Sequence, residues 1–313
     1  MVMIVGKPLS ALTINDFSLA GGKGASLGEM TQAGIPVPAG FVILSSTFDR
    51  FISETKGKAD IDAIVTYLDH KDIAAVEKAS AKIKALILSK EIPSSLQKEI
   101  LVAYDKLGSE FVAVRSSATA EDSASAAWAG QLDTFLNTTK KNLLENIKRC
   151  WASLFTPRAI FYRFENSLHH TTISVAVVIQ KMINSEVSGI AFSVHPVTKD
   201  KNQMIIEAGY GLGEAIVSGQ ITPDSYVLEK NSLKLLNINV SVQSKGLFRS
   251  KKGGNEWKVL KDGGKQKLSK KQIMDLAKLI MKIEKHYGFP VDVEWALEKE
   301  TFYITQSRPI TTL

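Results

Sequence analysis

The sequence predicts an α+β protein of two lobes, and three observations lead to this class. The chain has 313 residues, enough for one large bilobal domain or two smaller ones. Segments with helical periodicity fill most of the chain up to Gly108, after which short strand-like runs become frequent. A long β-branched run at 173–183 reads as a buried strand, and we place the lobe junction near its end. The predicted lobes are residues 1–182 and 183–313.

The first lobe is predicted to contain a loop, several amphipathic helices and four strands. Gly34 ends the first helix, and the Pro-rich segment after it enters a strand because proline does not fit inside a helix. Ser45 or Ser46 is expected to cap a short helix, and Ser94 with Gln97 has capping-box spacing. Further helices are predicted over about 25–33, 72–89, 93–107, 140–154 and 157–166, and strands over 111–114, 131–136 and 173–183.

The second lobe is predicted to be mainly β, with one long helix at 269–287 that Gly288 ends. Its strands are predicted at 189–194, 203–207, 226–229, 235–242, 291–297 and 302–307. In the last two strands, apolar residues alternate with Asp292 and Glu294, so that one face is polar. An even pairing register would place Glu294 beside Gln306, and a carboxylate beside an amide oxygen suits Mg²⁺. An ordinary solvent-facing strand is the alternative.

The charge of the chain is concentrated in one segment. The formal net charge is +7, and ten Lys or Arg residues against two acids lie between Lys245 and Lys271. Two Gly-Gly pairs in this segment favour a solvated hairpin or flap. Phe248 and Trp257 are its only aromatic residues, fewer than single-strand nucleic-acid binding usually needs. Nucleic-acid binding is therefore the less favoured interpretation.

Cysteine and apolar content indicate the cellular compartment. Cys150 is the only cysteine, so an internal disulfide is excluded, and its neighbours indicate a core position. The five histidines lack metal-site spacing. No apolar run approaches the 18 or so residues that span a bilayer, and no signal peptide is recognisable. We expect a cytoplasmic protein without membrane contact.

Two segments could bind phosphate. Gly21-Gly22-Lys23-Gly24 can bring backbone N–H groups and a lysine close to phosphate oxygens. Arg115 is expected at the end of a strand, before small hydroxyl residues. Its planar guanidinium can donate two hydrogen bonds to one phosphoryl group. Neither segment fits a Walker A motif. A simple tight turn at Lys23 and a surface ion pair of Arg115 remain open from these residues alone.

Six segments, taken together in this order, resemble a known family. They are GGKGASLGEM, GIPVPAGFVI, VRSSATAEDSASAAWAGQLDTFLN, CWASLFTPRAIFYR, GLGEAIVSGQITPDSY and DVEWALEKETFYITQSRPIT. They are similar to signatures of the nucleotide-binding domain of the phosphoenolpyruvate synthase and pyruvate phosphate dikinase family, over essentially the whole chain. The resemblance implies an ATP-grasp fold, in which two α+β lobes clamp ATP.

The resemblance also implies roles for individual residues, with ATP and Mg²⁺ as cofactors. Lys23 and Arg115 would hold the ATP phosphates, and Arg308 would stabilise charge on the transferred phosphoryl group, which makes these three the expected catalytic residues. Glu294 and Gln306 would hold Mg²⁺.

Three further positions of the nucleotide site are implied. Gly130 and Thr134 would line the phosphate side of the site. Gln180 would lie at the hinge beside the adenine, with the backbone of Lys181 and Met182 along the edge of the base.

Relatives of this kind pass the phosphoryl group to a histidine on a separate swivelling domain and then to pyruvate. None of the five histidine contexts has the family's phosphohistidine motif, so we expect that domain elsewhere in a full-length enzyme or in trans. The overall reaction would convert ATP, pyruvate and water to phosphoenolpyruvate, AMP and phosphate. Rifampicin phosphotransferases resemble the sequence nearly as well. A non-catalytic basic module that senses ATP or binds nucleic acid is the remaining alternative.

Overall fold

The computed structural model describes residues 5–119, 133–165 and 174–311. Two compact units divide the chain: one comprises Met1–Gly28 and Ala39–Met182, the other Glu29–Pro38 and Ile183–Leu313. The short segment 29–38, which lies inside the predicted first lobe, therefore packs with the second unit. The chain passes from one unit to the other three times.

The first unit is a five-stranded antiparallel sheet covered by helices, with strand order β1-β2-β5-β3-β4. Short 3₁₀ turns lie at Leu9–Ala11, Ile14–Asp16, Lys140–Asn142 and Ser153–Phe155. Its helices and strands are β1 (Gly6–Pro8), α1 (Phe17–Gln32, whose end belongs to the second unit), β2 (Gly40–Ile43), α2 (Ser45–Glu54), α3 (Gly57–Thr66), α4 (Ile73–Ser89), α5 (Ser94–Leu107), β3 (Val112–Ala118), β4 (Thr134–Thr138), α6 (Leu143–Ala152), α7 (Pro157–Glu165) and β5 (Val175–Lys181).

One face of this sheet forms the core of the first unit. Val114 of β3 pairs with Ile179 of β5, and both side chains are fully buried. Trp151 of α6, also fully buried, stacks on Phe51 of α2 with ring centroids 4.8 Å apart. Because side chains alternate along a strand, Arg115 of β3 points to the opposite face of the sheet.

The second unit contains a six-stranded antiparallel sheet with strand order β13-β12-β6-β7-β8-β9 and a separate β10–β11 hairpin. The long helix α9 contacts β12 and β7, and its Ile273, Leu276 and Ile280 are fully buried. The elements are β6 (Val187–Phe192), β7 (Gln203–Tyr210), α8 (Glu214–Val217), β8 (Asp224–Glu229), β9 (Leu235–Asn239), β10 (Lys245–Arg249), β11 (Asn255–Val259), α9 (Lys270–Tyr287), β12 (Val291–Glu298) and β13 (Thr301–Pro309).

A buried ion pair fastens the chain before α9 to β8. Lys267 Nζ lies 2.9 Å from Asp224 Oδ1, and neither side chain has any exposed surface. Asp224 also accepts hydrogen bonds from the Tyr226 hydroxyl at 2.7 Å and from the Ser241 N–H at 3.0 Å. Lys267 Nζ donates to the Gly263 carbonyl at 3.0 Å. A buried pair with this many hydrogen bonds fixes where the β10–β11 hairpin enters and leaves the unit.

The helix ends show which local predictions were right. Gly288 ends α9 with a φ of 75°, as predicted, and the structure adds a capping box of Ser269 and Gln272 at the start of this helix. The predicted caps at Ser45 or Ser46 and at Ser94 are wrong. Residues Leu44 and Pro93 occupy those positions without side-chain hydrogen bonds.

Two further predictions need correction. The first helix begins at Phe17 rather than near residue 25, and α3 has no counterpart in the prediction. The strand predicted at 111–114 continues to Ala118, so Arg115 lies inside β3 and not at its end.

The basic segment does form a hairpin, in which the Lys245 ammonium lies 4.4 Å from the centre of the Trp257 ring. Among the residues that the structure describes, no helix has the length and apolar composition needed to cross a bilayer.

Candidate functional site

The glycine-rich segment packs against β3 of the first unit. Gly21 interrupts α1 with φ 66° and ψ 174°, a conformation that is essentially confined to glycine. A Cβ on Gly21 would lie 2.3 Å from the Ser117 carbonyl oxygen. Ser117 Oγ accepts from the Gly24 N–H at 3.2 Å and donates to the Ala20 carbonyl at 2.9 Å. Half-buried Lys23 therefore stands in the first turn after the break, on a segment attached to β3.

Arg115 occupies the same face of the sheet as this attachment. It lies two residues before Ser117 on β3, with Thr134 of β4 on one side and Val178 of β5 on the other. Only 7% of Arg115 is exposed. Its Nη1 donates to Gln180 Oε1 at 3.4 Å, so the guanidinium is held at the sheet face. Arg115, Thr134 and the attachment of the Lys23 segment at Ser117 thus share the non-core face of the sheet.

Gln180 is almost fully buried in this region, with 2% of its surface exposed. Its Oε1 accepts from Arg115, whereas its Nε2 has no hydrogen-bond partner among the described residues. A buried amide left without a partner costs free energy of about 1–3 kcal/mol, which a ligand with an acceptor atom would recover. The orphaned Nε2 therefore fits a bound polar ligand.

The backbone beside Gln180 is already engaged. The Lys181 N–H donates to the Ala39 carbonyl at 2.8 Å, and the Met182 N–H donates to the Phe111 carbonyl at 3.0 Å. Any hydrogen bond from this backbone to a base would have to use the carbonyl oxygens. Gly130, also predicted to line the site, lies outside the described residues.

The second unit supplies a polar hairpin face. β12 and β13 pair so that Glu294 is directly opposite Gln306 and Asp292 is opposite Arg308. Directly opposed residues of an antiparallel pair lie on the same face, with Cβ atoms about 4.5–5.5 Å apart. This is the even register that the sequence analysis required for a side-by-side carboxylate and amide. Arg308 Nε donates to Asp292 Oδ2 at 2.8 Å.

A bulge separates this polar end of the hairpin from its apolar end. The register shifts after Glu294, so that Trp295 is opposite Ile304 and Thr305 is the extra residue. Trp295 and Ile304 are both buried, with at most 1% of their surface exposed. Without the shift, Ile304 would share a face with Gln306, because side chains alternate strictly along a regular strand.

Acidic side chains gather on the same polar face. Burial raises the pKa of Asp292, and the Glu294 charge adds to this effect while the Arg308 guanidinium opposes it. Burial likewise raises the pKa of Glu207 on β7, with a further contribution from Asp292. Glu207 is opposite Ile190 of β6, which is opposite Glu294, so one strand separates the two glutamates. Carboxylates gathered on one face favour a nearby cation.

The donor set suits Mg²⁺ better than a fully protein-bound metal. Within the described part of the chain, no group of three or more His, Cys, Asp or Glu side chains could hold a metal ion. Mg²⁺ commonly takes one or two carboxylates and completes its shell with water and substrate phosphate. A Glu294 carboxylate beside the Gln306 amide oxygen fits that pattern.

Comparison with known protein families decides the relationship of this chain. The family model described as "Pyruvate phosphate dikinase, AMP/ATP-binding domain" matches residues 17–313. The chain belongs to this family. Membership in the dikinase family supports the ATP-grasp assignment, and the α+β class predicted from the sequence is confirmed.

Curated relatives agree. A probable phosphoenolpyruvate synthase of Methanocaldococcus jannaschii is 44% identical over 97% of this chain, and one of Archaeoglobus fulgidus is 46% identical over 96%. The rifampicin phosphotransferase of Bacillus subtilis is 39% identical over 95% of this chain. The chain spans 26%, 40% and 34% of these three proteins, respectively.

In this member of the dikinase family, sequence reasoning assigned no role to two carboxylates of the polar face. Asp292 could have been found, because it precedes Glu294 by two residues and so shares its face. Glu207 had no local signal, since its position depends on the pairing of three strands. Cys150 is buried, as predicted, and burial raises the pKa of its thiol. The His195 ring accepts backbone hydrogen bonds from Val197 and Thr198, which indicates a structural role in a turn.

Proposed function

We propose that this dikinase-family domain binds Mg·ATP and donates an ATP-derived phosphoryl group to a histidine on a separate domain, for transfer to pyruvate. The complete reaction would convert ATP, pyruvate and water to phosphoenolpyruvate, AMP and phosphate. The pairing of Glu294 with Gln306, and of Asp292 with Arg308, carries the proposal. A carboxylate and an amide that would suit a cation thus share one sheet face with a guanidinium.

The proposed roles in the first unit follow from charge and hydrogen-bonding capacity. Lys23 lies in the first turn after the Gly21 break, where backbone N–H groups and the ammonium both favour phosphate. Arg115 would bind phosphate through its guanidinium, which also donates to Gln180. Thr134, across from Arg115, would offer a hydroxyl to the same phosphates. The Gln180 Nε2 would donate to an acceptor atom of the nucleotide.

The proposed roles in the second unit concern the charge that develops during transfer. Mg²⁺ held by Glu294 and Gln306 would neutralise charge on the phosphate oxygens. Arg308 would stabilise the transferred group. Asp292 would orient the Arg308 guanidinium, because its carboxylate accepts a hydrogen bond from Arg308 Nε. Phosphoryl transfer requires positioning and charge neutralisation rather than a covalent protein group. The chain therefore carries residues suited to the donor side of the reaction.

The final acceptor distinguishes two candidate functions. Relatives of this chain include phosphoenolpyruvate synthases and a rifampicin phosphotransferase, and the chain spans less than half of each protein compared above. We favour pyruvate because the two synthases compared above are 44% and 46% identical to this chain, against 39% for the phosphotransferase. An antibiotic hydroxyl is the alternative, and the Bacillus subtilis relative supports it.

The test is calorimetric titration of the chain with ATP, with and without Mg²⁺. Glu294→Gln keeps the shape of the side chain and removes its charge, so Mg²⁺-dependent binding should weaken about tenfold or more, whereas metal-free binding should change little. Glu298→Gln is the matched control, because it makes the same change at the far end of β12. Equal losses with and without Mg²⁺ would remove Glu294 from the metal site.

Arg308 needs a paired test, because its loss leaves the partly buried Asp292 carboxylate without the guanidinium. The double variant Arg308→Met with Asp292→Asn avoids that unpaired charge. We expect it to fold, to bind Mg·ATP and to lose phosphoryl transfer to a histidine domain supplied in trans. Full transfer activity in the double variant would refute the role of Arg308.

A further inference from the structure

A basic pocket lies beside the C-terminal half of α9 in the second unit. Its volume is about 650 Å³, and residues of α9, the turn after it and the segment that follows β6 line it. Because α9 packs against the apolar face of β12, the pocket lies on the side of the sheet opposite Glu294 and Gln306. The proposed nucleotide chemistry does not use it.

Four lysines surround the pocket. Lys278, Lys282 and Lys285 follow one another at spacings of four and three residues, which places them on one face of α9, and Lys201 joins them from the β6–β7 connection. Like charges at this spacing destabilise a helix slightly, so the cluster is not explained by helix formation. Lys201 and Lys285 form no ion pair with any residue that the structure describes. Lys282 Nζ donates to the Gly34 carbonyl at 3.0 Å.

Glu284 is the one acid among the described residues that line the pocket, and its charge is already neutralised. Glu284 Oε2 lies 2.6 Å from Lys230 Nζ, and Glu284 Oε1 accepts from the Ser193 hydroxyl at 3.1 Å. The end of α9 contributes about half a negative charge through its last carbonyl groups. Four full positive charges outweigh that contribution, so the pocket as a whole attracts anions.

The floor of the pocket is apolar. Val194 has 1% of its surface exposed, whereas Phe289 has 39% exposed, and Met281 lies between the lysines on α9. Pockets of about 300–1,000 Å³ with an apolar lining and a few converging polar groups are typical of small-molecule sites. The positive charge of the lysines and the apolar floor together favour a ligand that has an anionic group and an apolar body.

We propose that this α9 pocket binds a small organic anion that carries at least two negative charges on an apolar or aromatic body. The lysines bind the charged group, and Met281 and Phe289 contact the body. A phosphate monoester of an aromatic alcohol has this chemistry, because its phosphate is largely dianionic near neutral pH. Within the second unit, the pocket lies on the other side of the sheet from Glu294 and Gln306, and the inference does not depend on the proposed function.

The test uses 1-naphthyl phosphate as the probe and follows its fluorescence anisotropy with saturating Mg·ATP present. Inorganic phosphate and 1-naphthol are the comparison ligands, because each has only one of the two parts of the probe. We expect saturable binding of 1-naphthyl phosphate, and weaker binding of both fragments. Lys285→Gln should weaken binding of the probe about tenfold, the effect of losing one hydrogen bond to a charged group. Phe289→Ala should weaken binding of 1-naphthyl phosphate but not of inorganic phosphate.

Lys270→Gln is the matched control, because it removes one positive charge at the opposite end of α9. The proposal holds if Lys285→Gln weakens binding and Lys270→Gln does not, with thermal denaturation showing that both variants fold. Equal losses in the two variants would mean non-specific attraction to a basic surface, and would overturn it. Absence of saturable binding up to about 1 mM probe would also overturn it, and would leave an acidic macromolecule as the partner to examine next.

Discussion

Replacing Gly21 with alanine should show how strongly the site of the first unit depends on the absence of a side chain at this position. Gly21 has φ 66° and ψ 174°, and its Cα faces the β3 backbone at Ser117. In alanine the same conformation costs about 1–3 kcal/mol. The added Cβ would also lie 2.3 Å from the Ser117 carbonyl oxygen and 2.4 Å from its hydroxyl.

The second contribution is steric. Carbon atoms in good contact lie about 3.5–4.0 Å from their neighbours, so the segment or the strand must move by more than about 1 Å. Overpacking of this kind costs about 1–3 kcal/mol. The free energy of unfolding should therefore fall by about 2–6 kcal/mol. The displaced segment carries Lys23, so binding of Mg·ATP should weaken as well.

Gly108→Ala separates strain from crowding. Gly108 also has a positive φ, 62°, but a Cβ there would have nothing within 4 Å. Its replacement should cost only about 1 kcal/mol and leave ATP binding unchanged. Urea unfolding and calorimetric titration of both variants measure the two effects. If Gly21→Ala loses no more stability than Gly108→Ala and binds ATP normally, the packing of the glycine segment on β3 is not what positions Lys23.

Two further predictions concern buried charge in the second unit. Lys267→Met leaves the fully buried Asp224 carboxylate without its cation and should lower the free energy of unfolding by about 3–5 kcal/mol. Lys265→Met breaks the exposed pair with Asp262 and should lower the free energy of unfolding by less than about 1 kcal/mol. Similar losses in urea unfolding would contradict the burial of the pair. For Glu207, burial raises the folded-state pKa above the ordinary value of 4.5, so the folded protein binds the proton more tightly and loses stability as pH rises through that window. Glu207→Gln should thus be more stable than the parent chain at pH 7 and lose this advantage near pH 4; a difference that does not change with pH would count against this account.

Local signals in the sequence predicted the elements that depend on local physics. The alternation of Val291, Val293 and Trp295 with Asp292 and Glu294 gave both the strand and its polar face. The amphipathic pattern and Gly288 gave the bounds of α9 to within one residue. These features need only backbone geometry and the nearest neighbours in the chain, which a sequence contains.

Features that depend on distant partners could not be predicted in this way. β3 continues through Ser116 and Ser117 because both residues pair with β5, and their hydroxyls donate to the Asp133 and Ala20 carbonyls, which lie 17 and 97 residues away in the chain. The β-propensity of serine gives no sign of this, so Arg115 was expected at a strand end. The helix α3 was missed because it buries only Gly57 and Ile61, too few residues for a periodic pattern. The neighbourhood of Glu207 and Glu294 likewise arises only from strand pairing.

The bulge at Thr305 also has a consequence for protein engineering. It divides the last hairpin into a base, where Glu294 and Gln306 pair, and a tip, where the chain turns through Lys299 and Glu300 with positive φ at both residues. A change of register that starts at the tip can end at the bulge before it reaches the base. The tip is therefore the place in this hairpin to insert a reporter peptide while the carboxylate and amide keep their alignment.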